Sequence, residues 1–84
     1  MISAEMLSSF AKVAETLSVG RSAIALKVTK SVVSKRIAQL EAHLGVTLFS
    51  RSTRRIVLTS AGELYLEHAR RALAELHAAE ELLL

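Results

Sequence analysis

The sequence predicts a mainly α-helical domain, in which three helices and a small β-hairpin precede a long C-terminal helix. Its 84 residues contain no proline and only three glycines, so little interrupts a helix. Apolar residues recur at helical spacing, and short β-leaning runs follow Gly45. The length limits the chain to one compact unit, which we divide into residues 1–58 and a final helix over residues 59–84.

The first two helices are predicted from apolar spacing and a cap. One stripe at i, i+4, i+7 and i+11 consists of Met6, Phe10, Val13 and Leu17. Ser18 is a candidate N-cap for a second helix over residues 20–26. The residues expected to contact a neighbouring helix are Ala23, Ile24 and Ala25.

A turn at Lys27 and Val28 leads into a third helix that reaches about residue 44. Thr29 is its candidate N-cap, and Gly45 supplies the C-terminal stop. Its buried side is predicted to consist of Val33, Ile37, Leu40 and Leu44. Two helices joined by so short a turn are typical of a helix-turn-helix.

A hairpin and the last helix complete the chain. Residues 48–51 and 55–58 flank Ser52-Thr53-Arg54 and predict two short strands. Thr59 or Ser60 caps the last helix, the second option forming a capping box with Glu63. The helix is long for so small a core, so we expect its apolar seam to dimerise rather than fold back on the domain. The seam residues are Leu66, Ala69, Leu73, Leu76 and Leu83.

Basic charge is concentrated in the middle of the chain. Eight of the eleven Lys and Arg residues lie between Arg21 and Arg55, where Glu41 is the single acid. A local excess of this kind attracts polyanions, although such a cluster taken alone can be a solvated helix face.

A helical projection divides the basic residues by expected role. The outward N-terminal half of the third helix is short, polar and basic, which suits a helix that approaches base edges in the major groove. The candidate base-reading residues are Lys30, Ser31, Ser34 and Lys35. The candidate backbone and wing residues are Arg21, Thr29, Arg36, Arg51, Arg54 and Arg55. For Arg51 the alternative is an ion pair with Glu41 or a contact with a helix C-terminus.

Other classes of function find little support in the sequence. The chain has no Cys and no Asp, and its three His residues lack metal-site spacing or a nucleophile motif, so we expect neither an enzyme nor a metal site. We expect no cofactor in this domain. We see no membrane-length apolar run or signal peptide, and we expect a cytoplasmic protein.

One long motif resembles a known family. Leu40-Glu41-x-x-Leu44-Gly45-x-x-Leu48-Phe49-x-Arg51, joined to Leu58-Thr59-x-Ala61-Gly62, is similar to the N-terminal domain of LysR-type transcriptional regulators, and the likeness extends from Phe10 to Gly62. The resemblance implies a winged helix-turn-helix, a linker helix that pairs two such domains, and a C-terminal domain, absent here, that binds a small-molecule effector.

Two residues depart from the family pattern. Lys30 stands where the family usually has Gln, and Ser31 stands where it usually has Pro. Gln can form a bidentate pair with adenine, whereas Lys only donates. We therefore expect the role of reading DNA to transfer to Ser34 and Lys35 more readily than a base preference transfers to Lys30.

The leading hypothesis is a dimeric, sequence-specific double-stranded DNA-binding domain that recognises two-fold-related half-sites. Its recognition helix, about residues 30–44, would enter the major groove, and its wing, about residues 48–58, would contact the backbone or minor groove. The alternative is a helix-turn-helix protein-interaction module that docks a partner through the amphipathic C-terminal helix.

Overall fold

The computed structural model describes residues 1–52 and 54–84. In chain order the elements are α1 (Ala4–Thr16), α2 (Val19–Leu26), α3 (Lys30–Leu44), β1 (Phe49–Arg51), β2 (Ile56–Leu58) and α4 (Ser60–Leu83). The two strands pair antiparallel, with Phe49 opposite Leu58. The mainly helical winged architecture is therefore confirmed. Thr53, which we placed in the hairpin turn, lies outside the described residues.

Side-chain caps start α2, α3 and α4 where the sequence places them. The hydroxyl oxygens of Ser18, Thr29 and Thr59 each accept a hydrogen bond from the backbone N–H three residues further on, at 2.9–3.2 Å. Of the two options for α4, Thr59 is the cap, and Ser60 is the first helical residue. Gly45 ends α3 with a φ of 71°, a left-handed conformation that glycine adopts without a steric penalty.

The core forms where α1 packs against the other three helices. Phe10 is fully buried at its centre. The Phe10 ring lies 5.4 Å from the ring of Phe49 and 5.7 Å from that of Tyr65, both centroid to centroid and tilted. This aromatic cluster joins α1, β1 and α4, and both Phe10 and Phe49 are buried in the core. Burial raises the pKa of the Tyr65 hydroxyl above its ordinary value.

Three predicted contacts of the first two helices are wrong. Leu17 does not extend the buried stripe of α1, because it adopts a left-handed φ of 54° as the C-cap and is 49% exposed. Its N–H donates to the carbonyl of Val13 at 2.7 Å, which closes the helix. In α2, Ala23 is buried, but Ile24 is 80% exposed and Ala25 is exposed, since that side of the short helix faces away from α1 and α3.

The expected seam of α4 is divided between core and surface. Leu66 and Ala69 are buried in the core of the single chain, so they expose little surface, and their role in dimerisation stays a prediction. Leu73 is half-buried, whereas Leu76 and Leu83 are exposed. The first half of α4 packs against α1, and this contact buries the first residues of the expected seam.

The junction of α3, the hairpin and α4 is fixed by hydrogen bonds to backbone groups, most of them from side chains. The Glu41 carboxylate accepts from the N–H of Leu48 at 2.7 Å and from that of Phe49 at 3.3 Å. The N–H of Thr59 donates to the Leu48 carbonyl at 3.0 Å, and the Thr59 hydroxyl donates to the Thr47 carbonyl at 2.7 Å. The hairpin therefore has a defined orientation on α3 and α4.

Candidate nucleic-acid interface

The outward face of α3 presents short and basic side chains. Lys30, Ser31 and Lys35 are exposed and Ser34 is half-buried, all in the N-terminal half of the helix. On the opposite side, the core residues Val33, Ile37 and Leu40 are fully buried. Because burial fixes the rotation of α3 about its axis, the predicted base-reading residues share an accessible surface.

The turn between α2 and α3 is set by local backbone geometry. Lys27 has a φ of 59°, and the N–H of Val28 donates to the Ala23 carbonyl at 3.0 Å. On the other side of α2, the hydroxyls of Thr16 and Ser22 are 2.8 Å apart and hydrogen-bonded. These contacts position α2 between its neighbours, with Arg21 exposed in its first turn.

Lys30 lies close to the start of α2. A Cβ atom built on Gly20 would be 3.4 Å from the Cε of Lys30, so the lysine stem crosses the first helical turn of α2. The bare backbone at Gly20 leaves room for this approach. No pattern in the sequence predicts this contact, because it joins residues from two different helices.

Arg36 is directed differently from the other predicted backbone contacts. Its guanidinium donates to the hydroxyl of Ser9 on α1 at 3.4 Å, and Ser9 is fully buried. The structure therefore places half-buried Arg36 against the domain's own first helix. A helical projection could have indicated this, because Arg36 lies only about 60° from buried Val33 at 100° per residue.

The wing carries exposed arginines on an ordered base. Arg51, Arg54 and Arg55 are all exposed. The Ser52 hydroxyl oxygen accepts from the N–H groups of Arg54 at 3.4 Å and Arg55 at 3.2 Å, while the Ser52 N–H donates to the Arg55 carbonyl at 3.0 Å. Sequence reasoning did not assign this role to Ser52, although serine beside a tight turn is a common acceptor.

The three wing arginines line one groove together with Ser18, the cap of α2. The wing and the start of α2 therefore border the same groove. The alternative ion pair between Arg51 and Glu41 does not form among the described residues, since the Glu41 carboxylate instead accepts backbone N–H groups.

The described part of the chain has neither a metal-binding cluster of side chains nor a membrane-spanning helix. Within residues 1–52 and 54–84, no group of three or more His, Cys, Asp or Glu side chains is placed to hold a metal ion. No helix in those ranges combines the length and the apolar character needed to cross a bilayer.

Known proteins share both the sequence and the fold of this chain. The chain is 43% identical over 76 residues to the HTH-type transcriptional regulator AlsR of Bacillus subtilis (strain 168), covering 90% of this chain and 25% of AlsR. Full-length OxyR from Pseudomonas aeruginosa superposes with a TM-score of 0.94 at 28% identity, covering 98% of this chain and 28% of OxyR.

A third similar structure is a DNA complex of the CbnR DNA-binding domain. It superposes with a TM-score of 0.88 at 37% identity, covering 94% of this chain and 91% of that one. The present chain thus spans about a quarter of the length of AlsR. Residues 4–63 match the family described as bacterial regulatory helix-turn-helix protein, lysR family. Because that match covers most of the chain, this protein belongs to the lysR family of bacterial helix-turn-helix regulators.

Proposed function

We propose that this chain is the sequence-specific, double-stranded DNA-binding domain of a LysR-type transcriptional regulator. The observation that carries the proposal is the exposed basic face of α3, held on a buried core and accompanied by three exposed wing arginines. The similarity to the CbnR domain, whose structure is a DNA complex, supports the same function.

Within this proposal the basic residues have two roles. Ser34 and Lys35 read base edges in the major groove, because a small hydroxyl permits close approach and an ammonium donates to guanine O6 and N7. Lys30 and Ser31 border the same surface. Arg21, Thr29 and the wing arginines contact phosphates or the minor groove, which adds affinity that depends little on sequence. Arg36 would contact phosphate only after its guanidinium releases the Ser9 hydroxyl.

We propose a homodimer that binds two half-sites related by a two-fold axis. The C-terminal half of α4 extends beyond the core with exposed apolar residues, and these need a covering surface. Residues 1–58 would form the DNA-binding unit and residues 59–84 the linker and dimerisation helix, although the first half of α4 also completes the core.

The remaining proposals concern a regulator longer than these 84 residues. A small-molecule effector would bind a C-terminal domain outside these 84 residues, as in the family implied by the sequence. We propose a cytoplasmic, nucleoid-associated regulator without catalytic activity, consistent with relatives that are transcriptional regulators.

A salt titration against duplex DNA tests the central proposal. Phosphate neutralisation releases counterions, so affinity should fall steeply as salt rises. The double variant Arg54→Ala with Arg55→Ala should weaken binding and lower the log–log salt slope by about 2. Its matched control is Arg70→Ala with Arg71→Ala, which removes the same charge from exposed positions on α4 and should leave the slope nearly unchanged.

Two results would contradict the proposal. Affinity insensitive to salt would exclude a phosphate-contacting interface. If the wing variant and the α4 control show the same affinity and salt slope, the wing is excluded from the DNA interface. The competing function would then gain support. That second candidate is a protein-interaction module, favoured by the unpartnered apolar residues of α4. Where the titration supports DNA binding, selection of bound sequences from a random duplex pool would define the half-sites and their spacing.

A further inference from the structure

Lys30, the first residue of α3, lies at the edge of the accessible surface of that helix. At about 100° per residue it is roughly 140° from Lys35 around the helix axis, but only about 20° from Ile37. Ile37 is fully buried, so Lys30 starts from the side of α3 that faces the core. Lys30 is nevertheless exposed, because it stands at the end of the helix. The rotation of α3 therefore directs Lys35 outward and Lys30 toward a neighbouring element.

That neighbouring element is the beginning of α2. Gly20 is the second residue of α2, and a Cβ atom built on it would lie 3.4 Å from the Cε atom of Lys30. The ammonium is bonded to Cε, so the charge of Lys30 lies beside the first turn of α2. The stem of Lys30 thus runs from α3 toward α2 instead of outward with Lys35.

Positive charge at this place has no acidic counterpart. Arg21 follows Gly20 and is exposed, and no acidic residue occurs between Glu15 and Glu41 in the sequence. Among residues 1–52 and 54–84, neither Lys30 nor Arg21 forms an ion pair with a carboxylate. Like charges repel each other, so an anion beside both side chains would lower their electrostatic energy. The first turn of α2 therefore favours an anionic ligand held by these two side chains.

Ser18 connects this place with the wing. Its Oγ atom lies 3.8 Å from the same Cβ position on Gly20, and Ser18 also lines the groove that contains the wing arginines. None of the described residues that line this groove is acidic. Lys30, Ser18 and the wing therefore border one continuous surface with an excess of positive charge. A row of regularly spaced phosphates along one DNA strand matches such a surface.

The chemistry of lysine distinguishes a phosphate contact from a base contact. To read guanine, an ammonium must reach O6 and N7 in the major groove. To bind a phosphate it needs only proximity, since its charge is compact and its stem is flexible. The first helix of a helix-turn-helix crosses the DNA backbone. An ammonium held beside α2 therefore lies nearer to phosphates than to base edges.

We propose that Lys30 and Arg21 together bind one backbone phosphate of the DNA, and that Lys30 does not read base edges. The inference rests on the proposed function and changes the role that the sequence predicted for Lys30. Discrimination between sequences by α3 then depends on Ser31, Ser34 and Lys35. Lys30 instead fixes the position of α3 along the strand, because a phosphate contact sets register without reading sequence.

Neutral methylphosphonate linkages, placed one at a time along a duplex selected from a random pool, test the contact directly. At the linkage that Lys30 binds, the substitution should weaken binding by the unsubstituted chain and have much less effect on Lys30→Met. Methionine keeps an unbranched stem beside Gly20 but carries no charge, so the fold should be retained. Arg21→Met should lose sensitivity at the same linkage. The matched control Lys35→Met removes one exposed charge from the same helix and should keep full sensitivity there.

Salt dependence and specificity provide a second, independent measurement. Lys30→Met should weaken binding to the selected duplex and to a random-sequence duplex by the same factor. Loss of one phosphate contact lowers the log–log salt slope by about 0.9, so the loss of affinity should be about threefold larger at 50 mM than at 200 mM salt. Lys30→Arg keeps the charge and should recover most of the affinity. Lys35→Met should instead narrow the gap between the two duplexes.

Three results would overturn the inference. The first is a Lys30→Met variant that loses discrimination at one particular base pair, as a base reader would. The second is a methylphosphonate profile of Lys30→Met that matches the profile of the unsubstituted chain at every linkage. The third is full additivity of Lys30→Met and Arg21→Met in the double variant, because two side chains that share one phosphate must show coupled losses.

Titration of the unsubstituted chain shows which proposal has failed. If that chain binds duplex DNA with the expected salt dependence and Lys30→Met shows one of the three contrary results, only the role of Lys30 is refuted. If the unsubstituted chain shows no salt-dependent binding to duplex DNA, the proposed function is refuted, and the phosphate contact is refuted with it.

Discussion

Gly62 is the position at which one added methyl group should be most damaging. A Cβ atom at Gly62 would lie 2.1 Å from the carbonyl oxygen of Leu48 and 2.9 Å from a Cδ atom of Leu58. The nearer atom belongs to the backbone, so no change of rotamer can relieve the overlap. In Gly62→Ala, therefore, α4 must move away from the hairpin.

The cost of that movement can be estimated from the contacts it disturbs. Overpacking in a close-packed site costs about 1–3 kcal/mol. The Leu48 carbonyl also accepts the N–H of Thr59 at 3.0 Å, and losing this bond adds about 1 kcal/mol. Alanine regains up to about 1 kcal/mol of helix propensity. We expect a net loss of about 2–3 kcal/mol, or roughly 10–20 °C in Tm for a domain of this size.

Gly20→Ala is the matched control for this prediction. A Cβ there would lie 3.4 Å from Lys30 Cε and 3.8 Å from Ser18 Oγ, which are ordinary contacts, so stability should be unchanged or rise by up to about 1 kcal/mol. Both variants should be unfolded thermally and in urea, followed by circular dichroism, at one protein concentration because association shifts Tm. If the two variants differ by less than about 0.5 kcal/mol, the steric argument is refuted.

Three further predictions concern the interface, the junction and α4. Lys35→Ala should narrow the affinity gap between selected and random duplex DNA by roughly tenfold or more, whereas Arg54→Ala should weaken both alike; anisotropy titrations that show the same loss pattern for both variants would contradict the assigned roles. Glu41→Gln should destabilise the domain by about 1–2 kcal/mol in urea unfolding, because a neutral amide oxygen accepts the two hairpin N–H groups less strongly; an unchanged midpoint would count against this tether. Leu76→Glu should keep the fold, since Leu76 is 48% exposed in the single chain. It should shift the sedimenting species to a monomer, because the dimer contact would bury an unpaired carboxylate. An unchanged dimer would exclude Leu76 from the contact.

The local features of the fold were predictable because they depend on neighbours along the chain. Ser18, Thr29 and Gly45 cap helices through contacts within a few residues, and the serine, threonine or glycine at each position signals them directly. The helical spacing of apolar residues such as Phe10 and Ile37 predicts their burial. The failures are also instructive: Leu17 fits the period of α1 but closes the helix instead, since periodicity does not fix the residue at which a helix ends.

The residues of the candidate interface were predictable, but the direction of each side chain was not. The exposed positions of Ser31 and Lys35 follow from the rotation of α3 that the buried stripe imposes. The contact of Arg36 with Ser9 spans 27 residues, and the approach of Lys30 to Gly20 joins two helices. Neither contact can be predicted from the spacing of nearby residues.

The sequence alone determined the order of the elements, their caps, the buried side of α3 and the concentration of positive charge, because each follows from residues close together in the chain. Tertiary structure decided which side of α4 is buried in the core and which side remains exposed. It also explains why Gly62 must lack a side chain. A long helix with apolar residues on more than one side offers several faces for burial. Only the positions of α1 and the hairpin select Leu66 and Ala69 for the core and leave Ala72 and Leu76 uncovered.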